Sequence, residues 1–212
     1  MNMKNVLVCV GKGSVGKICL DGFKLQRKYK NYKLISISKK ERITKFREKI
    51  KTIGPLKKID FLIGFANISN LNQNKKIFDF LKNIKCKIVN FIHHTAIIDK
   101  DVKFGSGVKI FPGAIINRGC KIKNNVLINT GAIIEHDCEI GEHVQISPGT
   151  ILAGNVKVGK LSFVGMGTKI IQGVKVGTNC TIGAGSVVLK DVPNNSRVAG
   201  IPVKKIHEKK KI

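Results

Sequence analysis

The tripeptide Glu135-His136-Asp137 sets an imidazole between two carboxylates. That combination suits removal of a proton from a nucleophile: neutral histidine is the base, and an adjacent acid fixes its tautomer and raises its basicity. Eighteen residues on stands Ala153-Gly154-Asn155. If the chain repeats every 18 residues, the bare glycine lies beside the imidazole, and a ligand can approach the main chain there. Lys157 and Lys160 follow closely and suit phosphate groups. Among the other histidines, His93 and His94 come earlier, His207 sits in a basic tail, and His143 closes the triplet Gly141-Glu142-His143. A histidine between acids is equally the composition of a solvated corner, so these residues alone leave both readings open.

What must position them is a repeat of six. Sixteen hexads run without insertion from Ala96 to Val188, each with a small or Val residue followed two positions later by an aliphatic residue or Phe, as in Ala132 and Ile134 or Cys138 and Ile140. Residues two apart on an extended strand share a face, so each pair points inward and the polar or glycine triplet after it turns a corner. A short fixed period of this kind predicts a β-solenoid. With three hexads per turn, residues 18 apart stack and about five turns fit. His136, the middle of its triplet, then projects outward. A β-sandwich would instead show turn signals at roughly 8–12-residue spacing. Leu189 to Pro202 reads as a cap with a turn at Val192-Pro193-Asn194-Asn195-Ser196, because the open end of a solenoid needs covering.

Composition narrows the class. A chain of 212 residues with 42% hydrophobic content is globular. Its apolar runs are too short to span a bilayer, and Met1 to Val6 enters a strand pattern with no leader-like segment, which predicts a cytoplasmic protein. Cys120, Cys138 and Cys180 occupy inward small positions, and Cys9 lies in an apolar strand. Cys120 and Cys138 stack, so a disulfide is conceivable, but a reducing compartment favours free thiols. No cysteine pair has zinc-ligand spacing. The net charge is +26, and residues 1–91 hold 22 Lys/Arg against 5 Asp/Glu. Scattered lysines without interleaved aromatics argue against nucleic acid; a positive field instead concentrates small polyanions.

Before residue 92 the period changes. Strands at Val6–Val10, Leu34–Ile37, Phe61–Phe65 and Lys87–Phe91 alternate with helices expected from about Lys17 to Tyr29, Lys40 to Lys51 and Leu71 to Ile84. This alternation predicts a small Rossmann-like parallel α/β domain over 1–91, with ligands at the carboxyl ends of its strands, followed by the solenoid domain over 92–212. The loop Gly11-Lys12-Gly13-Ser14-Val15-Gly16 turns main-chain N–H groups and a helix N-terminus toward a possible phosphate. It approaches a P-loop, but Ile18 stands where a magnesium-binding Ser or Thr belongs. It is no dinucleotide fingerprint, because the second strand ends in Ser36-Ile37-Ser38 without an acid. A loop that merely turns the chain is a further reading.

The hexads, with Ile133-Ile134-Glu135-His136-Asp137-Cys138, Ala153-Gly154-Asn155-Val156-Lys157-Val158-Gly159 and the closing Ala199-Gly200-Ile201-Pro202, resemble the hexapeptide-repeat acyltransferases, and among them the bacterial amino-sugar and sialic acid acetyltransferases of the PglD/NeuD type. The resemblance is strong from about 92 to 206 and weaker before. It implies a left-handed parallel β-helix, a homotrimer, and acetyl-CoA in the groove between neighbouring subunits, with no metal. It also implies N-acetylation of a nucleotide-linked amino sugar, such as a 4-amino-4,6-dideoxyhexose, for surface glycan or glycoprotein synthesis; O-acetylation of a sialic-acid-like sugar is the alternative.

Carried over residue by residue, the resemblance makes His136 the general base and Asp137 its assisting acid, one methylene shorter than the usual Glu, with Glu135 flanking. Asn129, in Asn129-Thr130-Gly131, matches a sugar contact. Gly154, Gly165, Met166 and Ala184 match the acetyl-CoA wall, and Gly200 and Pro202 a segment near CoA. Gly11, Gly13, Ser14 and Val15, with Ser38 after the second strand, match the nucleotide-binding loop, although Val15 replaces an expected His and Ser38, Lys39 and Lys40 replace acids. A second family histidine falls on Gln145, two residues from His143. A zinc-dependent hydratase on the same solenoid would need three converging histidines, and a noncatalytic scaffold would not need the His136 corner.

Overall fold

The computed structural model describes residues 4–11, 13–35, 43–53, 56, 59–64 and 71–206. The chain divides into two compact units, Met1–His94 and Thr95–Ile212.

The first unit alternates β1 (Lys4–Val10), α1 (Ser14–Leu25), β2 (Tyr29–Ile35), α2 (Ile43–Lys51), β3 (Ile59–Ile63), α3 (Leu71–Asn83) and β4 (Lys87–Ile88). The sheet order is β2-β1-β3-β4, and every pair is parallel. In β1 Leu7 to Val10, and in β3 Phe61 to Ile63, are fully buried, the uninterrupted apolar run of strands covered on both faces. Several boundaries differ from the sequence expectation: β1 starts earlier, at Lys4, β3 runs Ile59–Ile63 rather than Phe61–Phe65, β4 stops at Ile88 rather than Phe91, and α1 is displaced at both ends. Helix α1 begins at Ser14 rather than near Lys17 because Gly16 belongs to its first turn: a Cβ there would strike the Gly11 carbonyl, and one on Gly64 would lie 2.6 Å from the Gly16 Cα. Three backbones thus meet at the carboxyl ends of β1 and β3, where only glycine fits. The helix also stops at Leu25, and Tyr29 opens β2 instead of closing α1. Its ring packs edge-on against Phe23 at 5.5 Å, and its hydroxyl donates to Asp60 Oδ2 at 2.8 Å. Burial, with Asp60 beside it, pushes the Tyr29 phenol well above its ordinary value.

The second unit is the expected solenoid. Two-residue strands recur every six residues from Ile97–Ile98 to Val187–Val188. Each pairs in parallel with the strand 18 residues away, as Ile133 with Ile151 and Glu139 with Lys157. Three sheets therefore run along the coil. Inward pairs such as Ala132 and Ile134, Cys138 and Ile140, and Val144 and Ile146 are fully buried in one continuous core. The polar inward residues are satisfied by a shared device. Thr150, Ser162 and Thr168 donate their hydroxyls, and Cys120 and Cys138 their thiols, to the carbonyl 15 residues on, at the first position of a corner in the next coil. Where this position is Ser, Thr or Cys rather than Ala or Val, the bond keeps the buried hydroxyl or thiol paired, since a buried polar group left without a partner costs about 1–3 kcal/mol. All six cysteines are free. The neighbouring Cys120 sulfur, with burial, holds the Cys138 thiol well above its ordinary range.

The cap is more regular than the sequence suggested. Val176 bridges Val192 and Thr181 pairs with Arg197, so the coil continues at a spacing of 16 instead of 18. Lys204–Lys205 then folds back antiparallel on Arg197–Ala199 and covers the last rung.

Candidate active site

Each coil turns three corners, and stacking by 18 residues aligns them in three columns. The first column holds the triplets 99–101, 117–119, 135–137, 153–155 and 171–173. Its third positions include Asp137 at φ +59° and Asn155 at φ +60°, the left-handed conformation that closes the bend and that Asp and Asn tolerate better than other side chains. Main-chain bonds lock the column: Asp137 N donates to Arg118 O at 2.9 Å and Asn155 N to His136 O at 2.9 Å.

The imidazole of His136 faces outward with 47% of the side chain exposed, and its Nδ1 lies 2.9 Å from Asp137 Oδ2. With Nδ1–H donated to the carboxylate, Nε2 keeps its lone pair. That edge of the ring lies over Gly154, where a Cβ would fall 2.5 Å from both Cε1 and Nε2. Among the described residues the Gly154 N–H has no hydrogen-bond acceptor, while its carbonyl accepts from Gly173 N at 3.0 Å. A base nitrogen and a free main-chain donor thus sit side by side, as abstraction of a proton next to a developing oxyanion requires.

The two flanking acids part company. Asp137 supports the ring, and its other oxygen occupies the space over Gly119, where a Cβ would collide with Oδ1. Glu135 turns away from the imidazole and accepts from Asn117 Nδ2 at 2.7 Å. Asn117 and Gly119 carry no signal in a reading of single motifs; the 18-residue register alone identifies them as the residues beneath Glu135 and Asp137.

The other expected site residues fall elsewhere. Asn129, Gly165, Met166 and Ala184 belong to a different corner column. There a Cβ on Gly165 would lie 2.6 Å from Ala184 N, Met166 is 60% exposed, and the Asn129 side-chain oxygen accepts from Thr130 N at 2.8 Å. Gly200, at φ +108°, continues that column: its carbonyl accepts from Val187 N, and Ile201-Pro202 follows on the surface. One protomer therefore does not bring this set to His136. His143 is buried, with Nδ1 3.0 Å from Asn125 Nδ2, and Gln145 is buried nearby in its strand.

In the first unit Gly11 is buried at φ +123°, Gly13 caps α1 without a side-chain bond, Ser14 is exposed and Val15 half-buried. Ser38 lies outside the described residues. Helix α1 starts two residues before Gly16, so the loop is shorter than a P-loop would require. Among the described residues no group of three or more His, Cys, Asp or Glu side chains is arranged for a metal ion, and no helix is long and apolar enough to cross a membrane.

Residues 119–154 and 155–190 match the bacterial transferase hexapeptide family (six repeats), and residues 95–130 match the hexapeptide repeat of succinyl-transferase. Together the two models cover the coil from residue 95 to residue 190. Solved structures superimpose on 95–97% of the chain. The acetyltransferase domain of PglB from Neisseria gonorrhoeae FA1090, in complex with acetyl coenzyme A, is 26% identical, with a TM-score of 0.86 over 97% of this chain and 100% of that one. PerB from Caulobacter crescentus, in complex with CoA and GDP-perosamine, is 25% identical, with a TM-score of 0.79 over 95% and 97%. WeeI from Acinetobacter baumannii AYE shares the fold at 20% identity, with a TM-score of 0.81 over 95% and 100%. No curated protein matches the chain by sequence.

Proposed function

We propose that the protein is an acetyl-CoA-dependent N-acetyltransferase that acts on the amino group of a nucleotide-linked amino sugar, with His136 as general base. The observation that carries this reading is the contact of the His136 ring with the uncluttered main chain of Gly154, whose N–H is free. The likeness to a PglB domain bound to acetyl coenzyme A and to PerB bound to CoA and GDP-perosamine supports the same chemistry.

The step is a direct transfer. The sugar amine attacks the thioester carbon and forms the C–N bond while its proton passes to His136 Nε2. Asp137, on Nδ1, holds the ring in place and stabilises the imidazolium. The Gly154 N–H donates to the thioester oxygen as negative charge develops there. The C–S bond breaks, its electron pair leaves with CoA sulfur, and His136 returns the proton. Asn129, Gly165, Met166, Ala184, Gly200 and Pro202 line the cosubstrate and sugar side of this site. Gly11, Gly13, Ser14 and Val15, with Ser38, bind the nucleotide.

The working form is a homotrimer. The sheet that joins the two functional corner columns carries Ile97, Ile115, Ile133 and Ile151 in one outward row; Ile97 is 65% exposed and the other three are half-buried. His136 lies at one edge of this face, and Asn129, Gly165 and Met166 lie at the other. A cyclic, head-to-tail interface through the apolar row sets one edge of each copy against the opposite edge of the next. Six free thiols fit a reducing cytoplasm.

A thiol-release assay with acetyl-CoA and UDP-, dTDP- and GDP-linked amino sugars tests this reading. Release that depends on one amino sugar supports it. Turnover only with a hydroxyl acceptor, such as a sialic-acid-like sugar, replaces it with O-acetylation, and release with no acceptor overturns it.

A further inference from the structure

The middle positions of the catalytic column read Lys100, Arg118, His136, Gly154 and Gln172, each outward and separated from the next by one coil, about 4.8 Å. Gly154 opens one side of the imidazole; the coil that carries Arg118 lies on the other. Three carboxylates stand in the triplets of the two adjacent coils, and each is already engaged: Asp101 Oδ1 accepts from Gly119 N at 3.0 Å, Glu135 Oε2 from Asn117 Nδ2 at 2.7 Å, and Asp137 Oδ2 meets His136 Nδ1 at 2.9 Å. Among the described residues the exposed Arg118 guanidinium makes no ion pair. An arginine that ignores three neighbouring acids keeps its planar fork of donors available beside the base.

The two substrates cannot both lie over Gly154. If the acyl donor takes the bare main chain there, the acceptor extends from Nε2 toward the opposite side of the ring, along the Arg118 coil. From this geometry we infer that Arg118 binds an anionic group of the acceptor, a phosphate of the nucleotide linkage or a sugar carboxylate, and so selects acceptors that carry negative charge near the reacting amine. The guanidinium fork matches both groups, through two parallel N–H···O bonds. This assignment rests on the transferase reading above and deepens it.

Equilibrium binding and turnover test it separately. Titration calorimetry of wild type, Arg118→Ala and Arg118→Lys with UDP-, dTDP- and GDP-sugars, with a free sialic-acid-like sugar and with CoA needs no catalysis. Arg118→Ala is expected to weaken the acceptor about 10–100-fold and Arg118→Lys less, with CoA affinity unchanged. Loss confined to nucleotide sugars assigns the phosphate; loss confined to the sugar acid assigns the carboxylate. In turnover the loss appears in the acceptor KM with kcat held, and Lys175→Ala, which removes a charge elsewhere on the coil, changes neither. Unchanged acceptor affinity, a loss for CoA alone, or a fall in kcat with KM held would each overturn the assignment. Should the wild type bind these acceptors through Arg118 yet release no thiol, the transferase reading fails and the anion site stands.

Discussion

The His136 imidazole lies in the space that Gly154 leaves empty: a Cβ on residue 154 would come within 2.5 Å of Cε1 and Nε2. Gly154→Ala should therefore turn the ring out of position without disturbing the ladder that holds the coil. We expect kcat to fall about 10²-fold or more while the melting temperature moves by only a few degrees. Turnover kinetics beside a thermal melt check this; unaltered kcat would mean that the ring does not act from this position.

Asp137 does two jobs, closing the corner at φ +59° and holding the Nδ1 edge of His136 at 2.9 Å. Asn tolerates the same left-handed conformation, so Asp137→Asn separates them. The fold should remain as stable as wild type while kcat drops by at least ~10²-fold. Glu135→Gln, whose partner is Asn117 rather than the imidazole, should cost less than about tenfold in kcat. Equal losses in the two variants, measured at saturating substrates, would contradict this division of roles.

The isoleucine row makes the assembly testable. Ile133→Lys places a charge in the middle of the proposed interface on a side chain that is only half-buried in the single chain. Light scattering after size exclusion should give three copies for the wild type and one for the variant, with circular dichroism unchanged and activity lost. A wild-type monomer that is fully active would dismiss the trimer.

How much of this was legible beforehand follows from what the repeat transmits. The inward pairs and the outward position of His136 beside Gly154 follow from a period of six, because every coil restates the same constraint. The split between Asp137 and Glu135 does not, since it depends on which carboxylate the left-handed corner points back along the ring. The opening of β2 at Tyr29 and the early start of α1 were missed because each is decided by a tertiary contact, with Asp60 and Gly64 respectively. The 16-residue spacing of the last coil lies past the final hexad, where the sequence offers only turn residues.

Glu139 supplies a pH signature. Burial pushes its carboxyl up, but Lys121 and Lys157, at 3.5 and 3.6 Å, outweigh this and hold it below its ordinary value. A carboxylate depressed in the folded state adds stability that is complete above its unfolded value and drains away as pH falls through the folded one. Glu139→Gln should thus melt slightly lower than wild type at pH 7, by no more than about 2–4 °C for so exposed a group, and the gap should close below about pH 4 and in high salt. A gap that persists in acid would rule out the ion pairs as its source.

The most direct measurement replaces the imidazole itself. His136→Ala should lose about 10²–10⁴-fold in kcat for amine-dependent thiol release from acetyl-CoA, with CoA affinity, subunit count and melting temperature close to wild type. Turnover near the wild-type rate would show that the proton leaves by another route and that this corner is not where the acetyl group is transferred.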